Sequence, residues 1–258
     1  MKNKLSALII DLDGTLIDSK QNQFDWMKYC VTELFKKPFP YDSCSEEFLK
    51  DYMAAYNQGG LDAIYALFDI DANEHQDFLW EHFNPWKEKN PAPIVKDMKE
   101  TIMDIYRRSR PRPGKVKGLR IALNTSNAWP SFEKQIYNHW FINYFDTIVT
   151  KDDIPDLLDK KSNKKDFLLK PNTYSIEWIL DLLGADAHEA LHVGDTVHDI
   201  ECCRNLCRKD PSNPGEVKVV SVTWGFDTKE NLKAKKPYRI ISQPNQLVKI
   251  VEKLGGFD

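Results

Sequence analysis

No apolar run in this chain approaches the length needed to cross a bilayer. The first residues carry no signal-peptide core either, because Ala7 to Ile10 leads straight into charged residues. Cysteine is sparse: Cys30, Cys44, Cys202, Cys203 and Cys207 are the only five in 258 residues, which is not the pattern of a disulfide framework. These shortages set the expectation of a reducing cytoplasm and of no membrane partner. A large excess of charge is missing too; a formal net charge of -3 gives no basis for nucleic-acid binding. There is no internal repeat and no low-complexity tract. One shortage is local: residues 19–95 hold seven Lys and thirteen Asp plus Glu but no Arg. With 41 % hydrophobic residues, the chain can still bury one or two cores.

What is present begins with Ala7-Leu8-Ile9-Ile10-Asp11-Leu12-Asp13-Gly14-Thr15-Leu16. A short apolar run closed by a glycine reads as a fully buried strand. Two carboxylates spaced by two on extended chain point to the same side. Like charges that close are costly unless a cation or a shared proton relieves them. A divalent cation with hard oxygen ligands, Mg2+, would do so. An ordinary acidic turn would carry the same residue types, so the stretch needs support from elsewhere.

Beyond Ser19 the period changes from two to about four. Phe24, Met27, Val31, Leu34 and Phe35 predict a helix that ends at Pro38 and Pro40. Ser43-Cys44-Ser45-Glu46 has capping-box spacing before a second helix, which Gly59-Gly60 breaks. Two more helical stretches follow, the second through Phe78, Leu79, His82, Phe83 and Trp86, with Pro85, Pro91 and Pro93 as the return hinge. Residues 20–90 thus read as an all-helical insert. After it, short apolar strands alternate with helices. The strands are Leu119–Leu123, Thr147–Val149, Ala190–Val193, Val217–Val222 and Arg239–Ile241. Such alternation argues an α/β fold, a Rossmann-like parallel sheet with helices on both faces. Ligands of such sheets sit beyond the strands' carboxyl ends. Asp11, the run Asn124-Thr125-Ser126-Asn127, and Gly194-Asp195 all fall there.

Three further stretches share that edge. Thr125 and Ser126 lie between a strand and a helix, where hydroxyl and amide groups can hold an anion or simply cap the helix. Lys170-Pro171 stands before the amphipathic helix at Tyr174 to Leu183. Leu191-His192-Val193-Gly194-Asp195-Thr196-Val197-His198-Asp199 is a strand followed by Gly-Asp-x-x-x-Asp. In this order the four stretches resemble the motifs of the haloacid dehalogenase superfamily, specifically its phosphatases with a C1 helical cap, the phosphoglycolate phosphatase and β-phosphoglucomutase-like branch. The resemblance implies Asp11 as nucleophile and Asp13 as acid/base. It implies Thr125 and Ser126 with Lys170 on the phosphoryl group, and Mg2+ held by Asp11, Asp195 and the Asp13 carbonyl. Asp199 would orient the metal's waters or Lys170. It also implies a core of residues 1–19 and 91–258 and a cap of 20–90.

The activity so implied is Mg2+-dependent hydrolysis of a small phosphorylated substrate through an aspartyl phosphate. A β-phosphoglucomutase-like mutase shares the motifs, and a non-enzymatic phospho-ligand binder is the remaining alternative, although no carboxylate is lost. Dehalogenation is disfavoured, because that branch lacks the second aspartate. The charged stretch 151–166 is longer than the usual link and leaves Lys164 and Lys165 as other candidates for the phosphate lysine. A charge-rich stretch without periodicity reads first as a solvated loop; the spacing of Ile154, Leu157 and Leu158 offers the alternative of a flap that packs against the cap and narrows access. The missing arginines weigh against a gripped acidic substrate, with Lys20 or a backbone amide as the remaining donors. His188-Glu189-Ala190-Leu191-His192 spells a zinc-protease pattern, but that chemistry needs both His on one helix face, and this stretch enters a strand. His198, Cys202, Cys203 and Cys207 lack zinc-site spacing and are expected to pack on the sheet.

Overall fold

The computed structural model describes residues 4–110, 118–136, 140–154, 169–209 and 216–257. Six strands form one parallel sheet: β1 (Ala7–Asp11), β2 (Arg120–Asn124), β3 (Thr147–Val149), β4 (Ala190–Gly194), β5 (Lys218–Val222) and β6 (Arg239–Ile241). Their spatial order is β3-β2-β1-β4-β5-β6. The order reverses between β1 and β4, so the crevice for a ligand opens where Asp11 and the β4 end meet.

Alternation along β1 builds two cores at once. Leu8 and Ile10 face one side, packed with helices α4 (Met98–Ser109), α5 (Trp129–Ile136) and α9 (Gln246–Lys253). Ala7 and Ile9 face the other, with α6 (Tyr174–Leu183), α7 (Val197–Lys209) and α8 (Lys229–Ala234). All five β1 residues are buried, which is why the run is apolar as far as Asp11. The fold class expected from the sequence is the one observed.

The regular elements within residues 20–89 are all helices, and they have a core of their own, built on Phe24, Trp26, Phe48, Ile64 and Leu79. Helix α1 (Lys20–Tyr29) runs into a π-helical turn at Cys30–Leu34. Helix α2 (Glu46–Ala66) is kinked at Gly59 and at Gly60, whose φ of 66° is open to glycine but costly for other residues. Helix α3 (Gln76–Lys89) completes the set. Two local expectations are corrected. The cap of α2 is Ser45, whose side chain accepts from Phe48 N at 3.2 Å, and not Ser43 with Glu46. Pro85 lies inside α3 and is no hinge.

The chain leaves and re-enters the sheet side by side. Asp18 N donates to Pro93 O at 2.8 Å and Val95 N to Leu16 O at 3.0 Å, with Ile17 and Ile94 paired antiparallel. This double link holds the helical segment above the β1 carboxyl end. Tyr52 of α2 stacks on Phe226, ring centroids 5.8 Å apart, from the loop after β5. The sequence reading overlooked α8, a short polar helix with Leu232 as its one buried residue. Among the described residues no helix is long and apolar enough to cross a membrane.

Candidate active site

Asp11 ends β1, and its side chain meets Asp195 and Asp199 from beyond β4. One carboxylate oxygen from each lies within 4.8 Å of the others, and all three residues are buried. Lys170 joins the group from the turn before α6. Its ammonium donates to Asp11 Oδ1 and to Asp199 Oδ1 at 2.9 Å.

Each carboxylate is held. Asp195 Oδ1 accepts from Thr15 Oγ1 at 3.2 Å and Oδ2 from Phe226 N at 2.7 Å. Asp199 Oδ2 accepts from Thr196 N and Oγ1 at 3.0 and 2.8 Å, and Oδ1 lies 3.0 Å from His192 Nε2. Burial keeps His192 below its ordinary pKa, the Asp199 carboxylate opposing. His192 Nδ1 is buried without a partner, so the ring proton belongs on Nε2, donated to Asp199.

Glycines make room. Gly14 has φ 74°, and a Cβ there would sit 2.2 Å from Asp195 Oδ2. A Cβ on Gly225 would sit 2.1 Å from Asp195 Cβ. The turn after β1 and the loop after β5 therefore close on the same aspartate. The indole of Trp224 locks them together, donating to Thr15 O at 3.1 Å.

The electrostatics are those of charges crowded out of water. Burial pushes the Asp11 carboxyl up to about 7, with Lys170 pulling it down and Asp199 and Asp13 adding to the rise. Asp195 is raised well above the carboxylate range by burial, then by Asp11 and Asp199. Burial would raise Asp199 as well, but Lys170 and His192 hold it well below that range. Lys170 is itself held above its ordinary value: burial lowers it, and Asp11 and Asp199 outweigh the burial. A divalent cation between Asp11 and Asp195 would favour the ionised form of both. The trio of oxygen donors fits such an ion, and they are hard ligands with no thiolate among them.

The Asp13 side chain stands apart from the trio. Its Oδ2 accepts from Asn127 Nδ2 at 2.6 Å, while Oδ1 is buried with no partner. Thr125 is buried at the end of β2; its Oγ1 accepts from Asn127 N at 3.1 Å. Ser126 is half-buried beside it. Asp11, Asp13, Thr125, Ser126, Lys170, Asp195 and Asp199 thus lie at one edge of the sheet; Lys164 and Lys165 lie outside the described residues, as do Leu157 and Leu158 of the supposed flap. Ile154 is described and buried.

Sequence reasoning missed Asn127's bond to Asp13, His192's to Asp199, and the loop Trp224-Gly225-Phe226. A glycine between aromatics just past a strand end was the available signal. The refused metal patterns stay apart: His188 lies in a 3-10 turn at Ala187–Glu189 and His192 inside β4. Cys202 and Cys203 are buried against the sheet, and the side chain of Cys207 lies outside the described set.

Comparison with known proteins adds to this geometry. The family profile described as haloacid dehalogenase-like hydrolase matches residues 8–207. The chain is 21 % identical to "Pyrophosphatase PpaX" of Bacillus mycoides over 98 % of this chain and 100 % of that one. It is 26 % identical to "Phosphoglycolate phosphatase" of Aquifex aeolicus over 96 % and 97 %. A haloacid dehalogenase-like hydrolase from Streptococcus pneumoniae superposes with TM-score 0.67 at 15 % identity, covering 97 % of this chain and 99 % of its own. A Thermotoga maritima protein provisionally named a beta-phosphoglucomutase gives TM-score 0.65 at 16 % identity, covering 96 % and 99 %. At such identities the superpositions speak for the fold alone.

Proposed function

Because the chain belongs to the haloacid dehalogenase-like hydrolases, we propose that it is a phosphatase that hydrolyses a small phosphorylated metabolite through an aspartyl phosphate on Asp11. The observation that carries this is the convergence of Asp11, Asp195 and Asp199 with Lys170 at the strand-order reversal, with Asp13 two residues beyond. The relatives named pyrophosphatase and phosphoglycolate phosphatase support a small, acidic, phosphorylated substrate.

Asp11 attacks phosphorus and becomes the acyl phosphate. Asp13 gives its proton to the departing oxygen; it then takes one from the water that attacks phosphorus and releases phosphate. Oδ1 of Asp13 is the atom for this task, since Asn127 already occupies Oδ2. Thr125, Ser126 and the amides at the start of α5 hold phosphoryl oxygens. Lys170 offsets the charge of phosphate and nucleophile, and Asp199 positions Lys170.

Asp11, Asp195 and the Asp13 carbonyl would hold Mg2+. When bound, the ion supplies charge neutralisation and polarisation of the phosphoryl group. Residues 20–90 act as a cap over the core of residues 1–19 and 91–258, closing on the bound substrate and excluding water. A β-phosphoglucomutase-like transfer would use the same core, the acceptor being a sugar phosphate in place of water. We place the enzyme in a reducing cytoplasm, in keeping with its free cysteines.

The test is steady-state release of phosphate from p-nitrophenyl phosphate with Mg2+. Turnover that disappears in Asp11→Asn supports the reading. Turnover of the folded variant at the wild-type rate contradicts it.

A further inference from the structure

Of the seven lysines in residues 19–95, only Lys87 is fully buried, at 1 % exposure, and it is the one such lysine among all the described residues. It sits near the end of α3, where the chain turns back to the core. Its ammonium donates to Ser131 Oγ on α5 at 2.7 Å and lies 5.1 Å from the Phe83 ring centroid. Both partners are neutral. Among the described residues no carboxylate is in ion-pair contact with it. A buried cation so placed is costly unless something else compensates it. Three N–H groups with one hydrogen-bond acceptor leave donors to spare.

The second observation is on the core side. Ser131 lies on α5, which starts two residues after Asn127, and Asn127 Nδ2 donates to Asp13 Oδ2 at 2.6 Å; Asp13 Oδ1 is itself buried and unpartnered. An acid oxygen without a partner and a cation with spare donors are thus both tied to residues 127–131, one from the core and the other from the helical segment. The ester oxygen released from phosphorus must arrive at the first. What lies a few bonds beyond it arrives at the second.

We infer that Lys87 is a specificity-determining residue, which binds a negatively charged group on the leaving portion of the substrate. The preferred class is a phosphate ester or anhydride whose leaving portion carries its own anion, either a second phosphate or a carboxylate. This rests on the phosphatase reading above. It also revises the expectation drawn from the missing arginines: the cation is present, and it is Lys87, not Lys20.

The experiment compares kcat/KM with Mg2+ on four probes: pyrophosphate, 2-phosphoglycolate, 2-hydroxyethyl phosphate and p-nitrophenyl phosphate. The second and third are close in size and differ in the anion. The wild-type enzyme is expected to favour 2-phosphoglycolate or pyrophosphate over 2-hydroxyethyl phosphate by at least about tenfold. Lys87→Met should cut that ratio about tenfold, chiefly by raising KM for the anionic probe, whatever loss is common to all probes. Lys87→Arg should keep the preference. Which anionic probe is favoured tells phosphate from carboxylate.

A wild-type enzyme without preference for either anionic probe overturns the inference and needs no variant. So does a ratio unchanged in folded Lys87→Met. Hydrolysis of the uncharged-leaving probes without selectivity sinks Lys87 alone. No hydrolysis of any probe sinks the phosphatase reading with it.

Discussion

Asp11 and Asp199 share one ammonium: Lys170 donates to Oδ1 of each, at 2.9 Å for Asp199. The pairing joins the end of β1 to the start of α7 through a residue in the turn before α6. Three segments far apart in sequence are thereby tied at one point. Burial makes the tie strict, since Lys170 is 10 % exposed and Asp199 1 %.

Lys170→Met is accordingly expected to leave two buried carboxylates without their counter-charge. Breaking a buried pair from one side typically costs about 3–5 kcal/mol, so urea unfolding should show a loss of that order, and phosphate release should fall sharply. Lys164→Ala and Lys165→Ala should do neither. If one of them abolishes activity while Lys170→Met keeps it, the phosphate lysine has been misassigned.

The clustered carboxylates predict stabilisation by metal. Thermal unfolding should shift upward with Mg2+ and return to the starting value with chelator, because a ligand that binds only the native state stabilises by about 2.7 kcal/mol at a hundredfold excess over Kd. Asp195→Asn should remove most of the shift. An equal shift in that variant would place the ion elsewhere.

Much of this site was legible in the sequence because buried parallel strands are written as unbroken apolar runs. The helix Tyr174–Leu183 and the strands Thr147–Val149 and Arg239–Ile241 have the bounds the pattern suggested. The polar residues after β1, β2 and β4 could be placed on one edge from connectivity alone. What escaped is what depends on non-local packing. Gly225 reads as a turn residue until the fold sets Asp195 against it. His192 reads as one more strand residue until α7 brings Asp199 within 3.0 Å. Lys87 reads as a solvated charge until α3 settles on α5. Helix α8 buries only Leu232 and so carries no periodic signal.

Gly225 yields a sharp prediction of its own. In Gly225→Ala the new methyl would stand 2.1 Å from Asp195 Cβ and 2.2 Å from its Oδ2, closer than a real methyl comes to either atom. Asp195 must shift, and metal affinity measured by calorimetry should drop about 10–100-fold, as for lost support around a ligand. Wild-type affinity in that variant would show that Asp195 does not depend on the loop after β5.

Lys87→Met should raise stability while relaxing specificity. Met is close in volume and spares the chain a buried cation, a change that is often neutral or favourable. The sign follows from linkage. Burial lowers the Lys87 ammonium from the ordinary 10.5, with Asp13 opposing, so the unfolded chain binds this proton more tightly and the native state is penalised at neutral pH. The variant's advantage in melting temperature should be largest near pH 7. It should shrink as pH rises through the lowered value towards 10.5. A folded variant less stable than wild type at pH 7 would show that the Ser131 bond outweighs the burial.

The central claim is that Asp11 carries the phosphoryl group, and trapping reads it directly. The enzyme is mixed with substrate and Mg2+, quenched in acid within one turnover, and reduced with borohydride, which converts an acyl phosphate to the alcohol. Peptide mass spectrometry then locates the altered aspartate. The expected result is homoserine at position 11 and at no other aspartate, and none at all in Asp11→Asn. Active enzyme whose Asp11 stays unmodified at every quench time, or modification at Asp13 or Asp195 in its place, would contradict the account.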